Sequence, residues 1–195
     1  MKAFLILFSI IFSWFVFFRD KVVTLEPGIK APEPPQQLTV RAAHPQKFDK
    51  FNVTPTANFN ITAKILSKRH YKQGGFSQLS PIDIVVGWGK MSDEAVIDKL
   101  KIKQSNRLFW IKGEKLPISE KEAQTHSANI HIIPKTSKIL NRVNKIKQGE
   151  IVTISGKLVN VSSSDGSNWV SSLSRSDWGA RSAEILLVEN ISKKY

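Results

Sequence analysis

Residues 3–18 limit more than any other feature what this chain can become. They form a run of sixteen uncharged residues whose only polar side-chain atoms belong to Ser9, Ser13 and Trp14. As a helix such a run spans about 24 Å, a little short of a hydrocarbon core of about 30 Å. Lys2 and Arg19 flank it and can snorkel to the interfaces to make up the difference. The rival reading is a cleaved signal peptide, with an unusually long and aromatic apolar core. Phe17-Phe18-Arg19-Asp20 offers no small-x-small cleavage site, so an uncleaved signal anchor is expected within residues 1–21. Lys2 and the α-amine nearly balance Arg19 and Lys21 across the run. A short N-terminus ahead of a first apolar segment usually stays inside, which sends the rest of the chain out of the cytoplasm.

Residues 22–56 carry Pro27, Pro32, Pro34, Pro35, Pro45 and Pro55 with few large apolar side chains. Prolines at this density favour an extended, semi-rigid spacer, and the sequence predicts a tether that holds a folded body clear of the bilayer. Residues 57–191 are then expected to form a single globular domain and residues 192–195 a basic tail. A body of that size buries about two-thirds of its unfolded surface and needs no staples. Cysteine is absent, which excludes disulfides and thiolate metal sites. The charge balance is 29 Lys and Arg against 16 Asp and Glu, formally +13. That excess favours anionic partners such as headgroups, envelope polymers or nucleic acid, against the bland alternative of a lysine-rich solvated surface.

Within the body, Ile61, Ala63 and Ile65 alternate with polar residues as a half-buried strand should. Ser80-Pro81-Ile82-Asp83 has the cap, the first-turn proline and the acid of a short helix, interrupted by Gly87-Trp88-Gly89. Ser92-Asp93-Glu94 opens a second helix towards Leu100, residues 107–111 read as strand, and Ser119 with Glu122 forms a capping box. Further strands are expected over 129–133, 150–161, 169–173 and 184–188, with a helix over 137–147 ended by Gly149. Gly156 is expected to mark a bend or bulge, and Ser164-Asp165-Gly166-Ser167 a hairpin turn. The predicted class is α+β and β-rich, a small antiparallel curled sheet or OB-like barrel with short inserted helices.

Two clusters carry the chemistry. His126 and His131 could act as a general base with a phosphate clamp, but five residues put them on opposite faces of one strand. The bland reading has His126 and Asn129 satisfying the backbone of a helix-to-strand turn. No carboxylate stands at ligand spacing, so no metal and no cofactor is expected. The second cluster is Trp169, Ser171, Ser172, Arg175 and Asp177. A hydrolase would join one of these serines to a histidine and Asp177, yet there is no nucleophile elbow. Asp83 and Trp88 either pack an inserted helix or wall a pocket that Gly87 and Gly89 open to a ligand. Walker and dinucleotide fingerprints are missing.

The run Ser80-Pro-x-Asp83, Gly87-Trp-Gly89-x-Met91-Ser-Asp93, Gln104-Ser-x-Arg107, His126-Ser-Ala-Asn129-x-His131-x-Ile-Pro134 and Trp169-x-Ser171-Ser172-Leu173-x-Arg175-x-Asp177 resembles a family of uncharacterised, short, membrane-anchored proteobacterial proteins. The likeness covers about residues 59–189. It implies a topology, a single-pass inner-membrane protein with a periplasmic body in the bacterial envelope, and carries no activity with it. The expected role is a non-enzymatic module that docks on a protein or an anionic envelope polymer. The alternatives are an envelope hydrolase using His126, His131 and Arg175, and a nucleic-acid binder using the basic surface with Phe109 and Trp110.

Overall fold

The computed structural model describes residues 22–41, 43–113, 116–174 and 182–194. The expected anchor, Arg175 and Asp177 lie outside the described residues. Among the described residues no helix is long and apolar enough to cross a membrane.

The chain from Phe51 on is organised by one long strand. After the short strands β1 (Gln36–Thr39) and β2 (Gln46–Phe48), β3 runs through twenty residues, Phe51–His70. No flat strand of that length fits a small body, and β3 bends by two irregularities in register, between Pro55 and Ala57 and between Ile65 and Ser67. Pro55 has no N–H to give a ladder and sits beside the first of them. An extra residue turns the following side chains to the other face. Phe51 and Val53 therefore pack outside the sheet with Val159, Val161, Ile185 and Leu187, whereas Ala57, Phe59 and Ile61 point to the inner core.

The first half of β3 pairs with β8 (Ile151–Ser163) and the second half with β4 (Ile82–Gly87). β4 pairs with β7 (Ser127–Pro134), β7 with β10 (Glu184–Lys193), and β10 with β8, so the order β3-β4-β7-β10-β8 returns to β3 and the sheet closes on itself. The architecture is β-rich and curled, as expected. It is not wholly antiparallel, because β7 and β10 run parallel, a pairing that needs a long crossover connection. Ile82, Ile84, Val86, Ile130, Ile132, Ile154, Leu158 and Leu186 fill the interior. β5 (Lys101–Ser105) and β6 (Leu108–Lys112) form a separate hairpin. The two-residue β9 (Asn168–Trp169) lies on the far end of β8.

Three short helices punctuate this frame. In α1 (Glu94–Ile97) Asp93 accepts the Ala95 N–H, and in α2 (Glu120–Thr125) Ser119 accepts the Glu122 N–H, as their cap patterns predicted. In α3 (Ser137–Asn144) Ile139 and Val143 join the interior core, and the cap is Thr136. Residues 88–126, between β4 and β7, form an insertion that packs Met91, Val96, Leu100, Ile118 and Ala123 on the outer side of Leu66 and Val85.

Several expectations are overturned. Ser80-Pro81-Ile82-Asp83 does not start a helix: residues 82–87 are a strand buried on both faces. The β-branched run Ile-x-Ile-Val-Val satisfies two cores at once, which outweighs a local cap. Residues 22–56 are not a free spacer. They supply β1, β2 and the start of β3, and Ala31 is buried. The Leu25 N–H donates to Glu94 Oε2 (3.2 Å), the Gly28 N–H to Asp93 Oδ1 (2.7 Å), and the N–H groups of Lys30 and Ala31 to Ser92 Oγ. These prolines deny a ladder its donors, but side-chain acceptors hold such a segment equally well. Lys64, 2% exposed, pairs with Glu94 beneath this strap. The expected strand over 169–173 stops at Trp169, and the expected basic tail is strand up to Lys193. Gly156 does stand at a bulge, but the extra residue belongs to the partner strand. The register slips in its partner between Val188 and Asn190, and a Cβ on Gly156 would lie 2.1 Å from the Leu187 carbonyl oxygen.

Candidate functional site

The outward side chains of β4 and β7 lie next to one another: Asp83 opposite His131, and Val85 opposite Asn129. The insertion returns over them. Its hairpin β5–β6 turns through Asn106 and Arg107, both at positive φ (50° and 66°), the geometry of a type I′ turn in which Gly is preferred at the second position. The turn carries Arg107 onto the barrel face. Arg107 Nη1 donates to Asp83 Oδ1 at 2.5 Å, Nη2 donates to the Ser80 carbonyl at 2.9 Å, and the guanidinium lies 4.1 Å from the Tyr71 ring centre and 5.5 Å from that of Trp169. Its backbone is tied as well. The Arg107 N–H donates to the Tyr71 hydroxyl at 3.0 Å, and Asn129 Nδ2 donates to the Arg107 carbonyl at 2.7 Å. Gln104 Nε2 donates to Asn129 Oδ1, and Ser67 Oγ donates to Gln104 Oε1.

Asp83 is completely buried. Its second oxygen lies 3.0 Å from His131 Nδ1, a close contact without hydrogen-bond alignment, and His131 is covered by Trp169 at 4.5 Å between ring centres. Trp169 stacks in turn on Phe76 at 4.8 Å. A buried carboxylate costs several kcal/mol to desolvate and persists here because a cation and an imidazole face it.

The structure therefore brings Asp83, Arg107, Asn129, His131 and Trp169 together, and separates them from His126. That residue caps α2: Nδ1 stands 3.0 Å from the Glu122 carbonyl and 3.2 Å from Thr125 Oγ1, and the ring lies against Gly89 and Trp88. Trp88 is a core residue. The room at Gly87 and Gly89 is taken by the Met91 carbonyl and the His126 ring, not by a ligand. Asp83 caps no helix. Ser171 Oγ donates to the Ser172 carbonyl and accepts the Ile185 N–H, and the Ser172 N–H donates to the Ala183 carbonyl, so both serines fasten the start of β10. Among the described residues no cluster of three His, Asp or Glu side chains could hold a metal.

Outside this clamp lies a surface of which the sequence pointed to Trp110, as part of a basic nucleic-acid face, without the lysines that stand beside it. Cross-strand register pairs Lys101 with Lys112 and Lys103 with Trp110, so all four side chains project from the same face of the hairpin. All are exposed, Trp110 by 43%. Ile102, Phe109 and Ile111 pack on the opposite face, so Phe109 does not share the open surface with Trp110. The period-two run Lys101-Ile102-Lys103 was the available signal. Beside Trp110 opens a cavity of about 300 Å³ walled by Leu108, Phe109, Ile111, Leu116 and Ala123, with Glu120, Gln124, Ser127 and Asn129 as polar groups.

Comparison with family models, curated proteins and solved structures finds no match to this chain.

Proposed function

We propose that this chain is a single-pass, non-enzymatic membrane module of OB-like architecture that binds an anionic envelope polysaccharide. The architecture is supported by strand order. Counting β3, β4, β7, β8 and β10 as first to fifth, the order is 1-2-3-5-4 returning to 1, the third and fifth strands are parallel, and α3 stands between third and fourth. OB barrels bind oligonucleotides and oligosaccharides on the face of their second and third strands. Here Arg107 and the insertion occupy that face, and the binding surface moves outward onto the hairpin.

The observation that carries the reading is Trp110 standing exposed among Lys101, Lys103 and Lys112 above an apolar cavity edged by amides, a hydroxyl and Glu120. An indole face takes a flat sugar ring, lysines take carboxylate or phosphate substituents, and Gln124 with Glu120 takes hydroxyls. A hydrolase has less support, because His131 lies under Trp169 and the serine hydroxyls are engaged with backbone. The resemblance to envelope proteins and the apolar run at residues 3–18 favour an inner-membrane anchor with a periplasmic body.

Calorimetric titration of the full chain in detergent with a uronic-acid oligosaccharide, a neutral dextran oligomer and a thymidine oligonucleotide tests this. The acidic glycan should bind, with Trp110→Ala and Lys101→Glu/Lys103→Glu each weakening it by about tenfold or more. Binding of the oligonucleotide alone would replace the reading with a nucleic-acid one. Silence towards all three would leave a protein partner. A C-terminal alkaline phosphatase fusion should be active, and an inactive but expressed fusion would sink the periplasmic placement.

A further inference from the structure

The segment expected to act as a free spacer is instead docked on the body. The Val23 N–H donates to the Gln148 carbonyl at 2.8 Å, and the chain passes so close to Gly149 that a Cβ there would lie 1.7 Å from the Val23 carbonyl oxygen. Five Cα steps separate Phe18, the end of the apolar run, from Val23, and fully extended they reach about 18 Å. A free polyproline spacer over residues 22–56 would instead reach about 110 Å. With Val23 docked beside it, the loop between α3 and β8 lies within that short reach of the end of the apolar run.

That loop is basic. Lys145 and Lys147 are exposed in it, and Lys193 and Lys194 lie beside it at the end of β10, where the Lys194 N–H donates to the Ile151 carbonyl. Lys68 Nζ donates to the carbonyls of Asn144 and Ile146. Glu150, the acid of the loop, is buried and paired with Lys193. We infer that the surface around Lys145, Lys147 and Gln148 rests on anionic phospholipid headgroups, so that the strap presses the body onto the bilayer and points the far end of β8 away from it. The inference rests on the anchor reading of residues 3–18. Juxtamembrane lysine clusters bind anionic lipid within about a Debye length of the surface, and the short reach from Phe18 brings these within that range.

The absence of cysteine makes the test direct. Asn144→Cys, at the end of α3 beside the basic loop, and Ser164→Cys, just past the far end of β8, both at exposed positions, are labelled with a fluorophore in the full-length chain. The chain is reconstituted into phosphatidylcholine vesicles with or without phosphatidylglycerol, carrying headgroup quenchers. The label at 144 should lose most of its emission and the label at 164 little. The loss at 144 should be greater with phosphatidylglycerol, and Lys145→Glu/Lys147→Glu should abolish that increment with an unchanged melting curve. Failure of the chain to float with vesicles would remove the anchor, and the inference with it. Flotation with equal quenching at 144 and 164 would overturn the inference while leaving the anchor standing. Quenching at 144 that ignores lipid charge would overturn the headgroup contact.

Discussion

Arg107 shows how much a single side chain is asked to do. It sits at a φ of 66°, where a non-glycine residue costs about 1–2 kcal/mol, and what it gains is a charge-assisted bond to a carboxylate with no access to water. Arg107→Gly and Arg107→Ala both lose the clamp, but only glycine relieves the backbone. Urea unfolding should find the Gly variant more stable than the Ala variant by about 1 kcal/mol; the reverse order would mean the turn is unstrained. Asp83→Ala removes the anion from between Arg107 and His131 and leaves the half-buried Arg107 cation without its partner. It should cost about 3–5 kcal/mol in the same experiment, whereas a loss under 1 kcal/mol would show that water reaches the pair.

At the scale of elements, the strap over residues 23–31 depends on glycine at one point. Gly149 has a φ of 90° and the Val23 backbone packed on its α-carbon. Gly149→Ala should free the strap while β3 and β8 remain closed. Hydrogen exchange at Leu25, Gly28, Lys30 and Ala31 would then accelerate at least about tenfold, with the core strands unchanged. Uniform acceleration would mean that the strap and barrel unfold together. Proline density was a poor guide here, because composition reports which donors are missing and not which acceptors wait elsewhere. Ser92, Asp93 and Glu94 were legible as a helix start. Their second duty, receiving N–H groups from a segment more than sixty residues earlier, was not.

For the whole molecule, closure decides where the fold begins. Residues 51–58 contribute Phe51, Val53 and Ala57 to buried clusters and pair with β8. A chain shortened to begin at Phe59, where alternation first becomes evident, should therefore fail to close. Circular dichroism should show loss of cooperative melting, while a chain beginning at Val22 melts in one transition. Equal cooperativity of the two would mean that β4, β7, β8 and β10 suffice.

The sequence by itself determined the apolar run, the basic excess, most strands, two helix caps and the hairpin turn at 164–167, because these follow from local periodicity and side-chain chemistry. Most candidate residues were also named from the sequence, and Asp83, Arg107, Asn129, His131 and Trp169 do gather. Tertiary structure alone decided that His126 belongs to a helix cap, that residues 82–87 are strand, and that Lys101, Lys103, Trp110 and Lys112 share one open face of a hairpin. It also decided that residues 23–31 are fastened to the body by their backbone N–H groups rather than reaching away from it. Each of these turns on a contact between segments far apart in the chain. A buried surface that needs filling, or a carboxylate that needs a cation, outweighs a local preference of about 1 kcal/mol.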